Sequence, residues 1–183
     1  YNSYLISFGS NYIVQKPLMQ HKELSKFNST SVNVLRVTTL RIKETVYVLG
    51  TIFRVGAPGA FCDHNGFENL KPRIVRVDEN GNLVGKALSP DDCKIYDDIF
   101  GVKISGKIPH YKEIIEKTKE MALQFGNHGI VGWDIMIDDE DRIICIEFNS
   151  NAPGMTQTQM ACGPVFANLT DNGTPLLDEI IKN

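Results

Sequence analysis

The chain lacks the marks of several protein classes. No apolar run approaches the roughly 18–20 residues of a bilayer crossing, so no membrane span is expected. No charged-then-apolar leader opens it. Basic residues are not in excess: 19 Lys and Arg stand against 22 Asp and Glu, for a net charge of −3. That balance gives no sign of a nucleic-acid partner. The four cysteines (Cys62, Cys93, Cys145, Cys162) form no CxxC pair, and no His stands at zinc spacing. Reduced thiols in a cytoplasm are expected. Cys145 alternates with apolar residues and reads as a small buried hydrophobe. Gly56, Pro58 and Gly59 make no phosphate loop, because the spacing is wrong and no Lys-Ser/Thr follows. Repeats and low-complexity tracts are absent.

What is present is ordinary globular material. The 183 residues, 42% hydrophobic and 22% charged, suit one domain or a large piece of a bigger protein. The start, Tyr1-Asn2-Ser3, is not Met, and the chain is expected to be part of a longer one. Asn11–Lys16 reads as a short strand stopped by Pro17, and residues 19–28 as a short polar helix or turn. Ser31–Ile42 and Val46–Val55 are rich in Val, Leu, Ile and Thr and read as two strands. Gly56–Asn69 is a long loop by its Gly, Pro and Asn content, and loops of that length are often functional. Arg73–Val77 is a strand, and residues 86–110 read as irregular. Tyr111–Phe125 is the clearest helix, with Tyr111, Ile114, Ile115, Met121, Ala122 and Phe125 on one face and Gly126 ending it. Short helices are expected near Thr156–Cys162 and Leu176–Ile181.

The most informative segment is a hairpin spanning Gly132-Trp133-Asp134-Ile135 and Ile146-Glu147-Phe148-Asn149. Side chains alternate across a strand, so apolar alternation sets the register. Pairing Ile137 with Arg142 places Ile135 opposite Ile144 and Trp133 opposite Ile146, which builds an apolar face. Asp134 then lies opposite Cys145, with Glu147 as its diagonal neighbour and Asn149 one step on. Such a cluster of hard oxygen donors suits Mg²⁺. The same acids would also suit a solvated strand face, and Trp133 reads as core.

This segment resembles the end of the ATP-grasp fold. The motif is an aspartate on one strand, E-x-N on the next and a Pro-Gly loop. Here these are Asp134, Glu147-Phe148-Asn149 and Pro153-Gly154-Met155-Thr156. Tyr12-Ile13-Val14-Gln15-Lys16-Pro17-Leu18 resembles the hinge strand that holds the adenine. Ser31-Val32-Asn33-Val34-Leu35-Arg36-Val37 resembles the arginine-bearing strand of the glutamate-ligase branch, and Arg54 its second arginine. Asp63-His64-Asn65-Gly66 resembles the following loop, although Gly66-Phe67-Glu68-Asn69 replaces the usual glycine doublet. The stretches S-V-N-x-L-R-V and G-W-D-I are most similar to the sugar-transfer-associated ATP-grasp proteins, which are related to the D-alanine–D-alanine ligases.

The resemblance implies an α+β fold: an ATP-grasp C-terminal lobe, mainly antiparallel sheet with helices packed on one face. Residues 1–183 would form the hinge strand plus this lobe. The upstream lobe, with its phosphate-binding lysine, and a further N-terminal domain would lie outside the chain. The resemblance also implies ATP and two Mg²⁺ ions as cofactors, with Asp134, Glu147 and Asn149 as metal ligands. Arg36 and Arg54 would hold the transferred phosphoryl group, as guanidinium forks do. Gln15, Lys16, Pro17 and Leu18 would hold the nucleotide; Asn33 and Asn65 join them, or with Asn151 orient substrate. The implied reaction joins a small-molecule carboxylate to an amine through an acylphosphate, with a place in cell-surface polysaccharide biosynthesis. The partners would be those substrates and the missing lobe. A non-catalytic nucleotide- or metal-binding interaction module, or a Ca²⁺-stabilised structural domain, would use the same acids. His21 reads as a surface residue, and His64, His110 and His128 are assigned no chemistry.

Overall fold

Val, Ile and Thr suit a pleated surface buried on at least one side. The two stretches richest in them become the longest strands, β1 (Val34–Ile42) and β2 (Thr45–Val55). The computed structural model describes residues 9–10, 12–126 and 129–167. The expected helix near Leu176–Ile181 lies outside them. The other elements are α1 (Lys22–Ser25), β3 (Arg73–Val77), β4 (Leu83–Leu88), β5 (Ile95–Tyr96), β6 (Asp98–Ile99), β7 (Val102–Lys103), α2 (Tyr111–Gln124), β8 (Ile130–Ile137), β9 (Ile143–Asn149) and α3 (Met155–Cys162).

Among the described residues, seven strands form one antiparallel sheet in the order β5-β4-β3-β2-β1-β8-β9, and β6 and β7 form a separate ribbon. The expected α+β class with a mainly antiparallel sheet is what is seen. One face carries the main core, in which Leu35, Val37, Phe53, Val75, Trp133 and Ile135 meet α2. The buried stripe of α2 is Tyr111, Ile114, Thr118 and Ala122, at helical spacing. Each fully buried apolar side chain of this kind contributes about 1.5–3 kcal/mol. Trp133 is core as expected, and its indole N–H donates to Thr39 Oγ1 at 2.9 Å.

Not all helices share that face, which corrects one expectation. A smaller cluster of Leu40, Leu49 and Val165 packs with Met155 of α3. The Thr38 and Thr158 hydroxyls are 3.0 Å apart, which seats α3 on the face opposite α2. Sheet centre and helices therefore bury both faces of β1 and β8, Asp134 and Arg36 included.

Three further expectations are corrected. Residues 12–19 run without a ladder, because Pro17 withholds a donor; the nearest pairing is an isolated bridge from Gln20 to Asp138. Residues 86–110 are not wholly irregular, since they hold the end of β4 and the three two-residue strands. The helix α2 stops at Gln124, with Phe125 extended at its C-cap.

Candidate functional site

On the α3 face, β1 brings Arg36 directly opposite Asp134 of β8. Arg54 of β2 pairs with Val34, so it reaches the same carboxylate from the next rung. Arg36 grips Asp134 as a fork: Nε donates to Oδ1 and Nη2 to Oδ2, the latter at 2.8 Å. Arg54 Nη1 lies 3.3 Å from both oxygens. The far end of Arg54 is taken by Asp63, 2.6 Å from Nη2. Two cations and two anions thus alternate in a line, Arg36, Asp134, Arg54, Asp63. Burial works to raise the Asp134 pKa. The Arg36 hydrogen bond and the charges of Arg54 and Arg36 outweigh it, and the carboxyl sits below its ordinary value.

The Pro-Gly loop closes on this line. Arg36 Nη1 donates to the Pro153 carbonyl at 3.0 Å. A Cβ on Gly154 would lie 2.6 Å from Arg36 Nη1, and one on Gly132 would lie 2.6 Å from Pro153 O. Gly154 also has φ +70°, where glycine is favoured. These two glycines set the approach of loop to guanidinium, a role the sequence reading did not assign them.

The hairpin register differs from the expected one. Asp134 pairs with Glu147, not with Cys145; Trp133 pairs with Phe148, and Gly132 with Asn149. On the turn side Ile135 pairs with Cys145, so Ile146 is an extra residue in a β-bulge. The bulge places the acids directly across from each other rather than diagonally. Asn149 Nδ2 donates to Glu147 Oε1 at 3.2 Å. Cys145 is exposed on this strand rather than buried, and all four cysteines are free thiols.

A cavity of about 420 Å³ gathers Gln15, Lys16, Pro17 and Leu18 with Arg54, Asp134 and Glu147. That volume lies in the range of small-ligand sites, about 300–1,000 Å³. Asp63, His64 and Ile146 also line it, and the sequence reading had given them no role. The signal for Asp63 was its place in the loop after β2; the signal for Ile146 appears only with the bulge. Hollows between β2, β3 and the helices and beside the start of α2 contain none of the predicted site residues, and one along residues 17–20 and 29–32 shares Pro17 and Leu18 but holds no charged side chain. The chemistry therefore points to the first cavity.

Other predicted residues lie apart from it. Arg36 and Asn149 flank the cavity through Asp134 and Glu147 without lining it. Asn33 is fully buried, and its Nδ2 donates to the Leu24 and Asn28 carbonyls at 2.8 and 3.0 Å. Asn65 contributes its backbone, accepting from Ala57 N–H at 3.1 Å, and its side chain is exposed. Asn151 is exposed in the loop before α3. His21 is only partly exposed and starts α1, accepting from the Glu23 N–H at 3.2 Å.

The donor chemistry fits Mg²⁺: two carboxylates on paired positions and a neighbouring amide, all hard oxygens. The arrangement is closed by arginine, since both Asp134 oxygens already accept from guanidinium groups. Among the described residues, no group of three or more His, Cys, Asp and Glu is assembled as a metal cluster.

No curated protein and no solved structure matches the chain. A family model described as sugar-transfer associated ATP-grasp matches residues 4–173, and the chain belongs to that family.

Proposed function

We propose that this chain is the Mg–ATP-binding portion of an ATP-dependent carboxylate–amine ligase that works through an acylphosphate. One observation carries the reading: a single cavity joins the hinge residues 15–18 to Arg54, Asp134 and Glu147. Pro17, Leu18 and Ile146 supply an apolar end for a flat base, and the charged groups supply the phosphate end. When bound, Mg²⁺ would neutralise charge on the phosphate oxygens.

Glu147, Asn149 and, once released by its arginines, Asp134 would hold the metal. Arg36 and Arg54 can exchange carboxylate for phosphoryl oxygens, because both anions suit the same planar fork. Phosphoryl transfer needs positioning and charge neutralisation more than covalent help, and buried arginines on adjacent strands provide both. A lysine-bearing upstream lobe, two metal ions, a cytoplasmic setting and a role in cell-surface polysaccharide assembly belong to the same proposal. Among the described residues, no helix is long and apolar enough to cross a membrane.

The test is substrate-dependent phosphate release from ATP by the full-length gene product. Glu147→Ala should abolish it while circular dichroism stays unchanged; unchanged turnover would sink the site. The arginine-closed state of Asp134 favours a second reading, a non-catalytic nucleotide- or metal-binding module. Nucleotide binding without turnover on any carboxylate would select that one.

A further inference from the structure

We propose that His64, oriented by Asp63, is the general base that frees the attacking amine. This rests on the ligase reading and adds to it the group that handles the proton. Asp63 lies with one oxygen 2.6 Å from Arg54 Nη2 and the other 3.2 Å from His64 Nδ1. Its side chain is 12% exposed, whereas that of His64 is 60% exposed. A carboxylate paired with arginine accepts hydrogen bonds only, so the proton on the imidazole belongs at Nδ1. The lone pair then stays on Nε2.

The loop holding this pair is pinned without regular structure. Asn65 N–H donates to the Cys62 carbonyl at 3.2 Å, and Ala57 N–H to the Asn65 carbonyl at 3.1 Å. A Cβ on Gly56 would lie 2.2 Å from Cys62 O, so the loop crosses closely over the end of β2. His64 lines the same cavity as the proposed metal and phosphate groups. The charged and titratable groups facing that cavity are Lys16 from the hinge segment, Arg54 from β2, Cys62 and Asp63 from the loop, Asp134 from β8 and Glu147 from β9.

In the reaction, Nε2 takes one proton from the ammonium form of the acceptor. The freed nitrogen lone pair forms the C–N bond to the acyl carbon. The C–O bond to phosphate breaks, and its electron pair leaves with the phosphate. The second proton lost from nitrogen departs on that phosphate, and the imidazolium returns its own to solvent.

The test uses the full-length gene product with Mg–ATP and a panel of amino, hydroxy and uronic acids. Hydroxylamine is the first nucleophile and amino-acid amines the second. Hydroxylamine is largely unprotonated at neutral pH and needs no base. His64→Gln should therefore lower the ratio of amide to hydroxamate about 100-fold or more, the usual scale of general-base catalysis. It should also make amide formation rise steadily with pH where the wild type levels off. Independently, nitrogen-15 NMR should show His64 with an unprotonated Nε2, and Asp63→Asn should erode that tautomer. An unchanged ratio in His64→Gln, or a proton found on Nε2, overturns the base role alone. Wild-type protein that forms no hydroxamate overturns the ligase reading and the base role with it.

Discussion

Arg36 and Asp134 face each other across β1 and β8, and the guanidinium closes on both carboxylate oxygens. The residue expected to hold a metal is thus held by the residue expected to hold a phosphate. The pair is self-neutralised, and on the proposed reading a bound ligand would exchange partners within it.

That exchange predicts opposite signs for one mutation. Arg36→Ala removes a charge-assisted contact, worth about 1.5–3 kcal/mol, and should weaken Mg–ATP accordingly. It also frees one side of Asp134, so binding of Mg²⁺ alone should strengthen. Calorimetric titration with each ligand separates the two. Parallel weakening of both would show that Arg36 only supports the fold.

Removing the carboxylate leaves two buried guanidinium groups without their shared partner. Asp134→Ala should cost about 3–5 kcal/mol in urea unfolding, as breaking a buried pair does. A loss below about 1 kcal/mol, the scale of a surface pair, would mean the network is solvated.

Acid sensitivity follows from the same carboxyl. Its folded pKa lies below the ordinary 3.8, so its contribution is fully present above that value. It is lost as pH falls through the folded pKa. Asp78, Asp92 and Asp138 are lowered as well, so the acid limb has several contributors. The stability difference between wild type and Asp134→Asn should therefore be constant above about pH 5 and shrink below about pH 4. Thermal melts across that range measure it.

Gly154→Ala forces a side chain into φ +70° and against Arg36 Nη1. It should cost about 1–3 kcal/mol and loosen the fork, with Mg–ATP affinity falling too. Asn33→Ala strips the Leu24 and Asn28 carbonyls of a buried donor, at a cost of about 1–3 kcal/mol. Its Mg–ATP affinity should stay at the wild-type level, because the side chain faces away from the cavity. A specific loss of affinity would return Asn33 to the binding site.

Periodicity made much of the fold legible. The stripe from Tyr111 to Ala122 predicted α2 because burial on one helix face repeats every three or four residues. The β-branched runs predicted β1 and β2. Asp134 and Glu147 were found through the hairpin pattern and the family resemblance, the hinge residues through the resemblance alone, and the cavity brings them together. The register of β9 was not legible, since a bulge leaves no mark when Ile143, Ile144, Cys145 and Ile146 are all apolar. Asn33 shows a related ambiguity: hydrogen-bonding partners are set by tertiary contacts, and Asn suits a buried cap as well as a ligand.

The bulge at Ile146 has a consequence beyond the acid pair. Among the described residues, β9 is the outermost strand of the sheet on its side, with Ile146 and Phe148 both exposed. A flat, apolar strand in that place would offer its free backbone as a template for another chain. An extra residue bends and twists such a strand, and Glu147 adds a charge beside the bend. The irregularity that sets two carboxylates face to face also makes this strand a poorer template for strand addition.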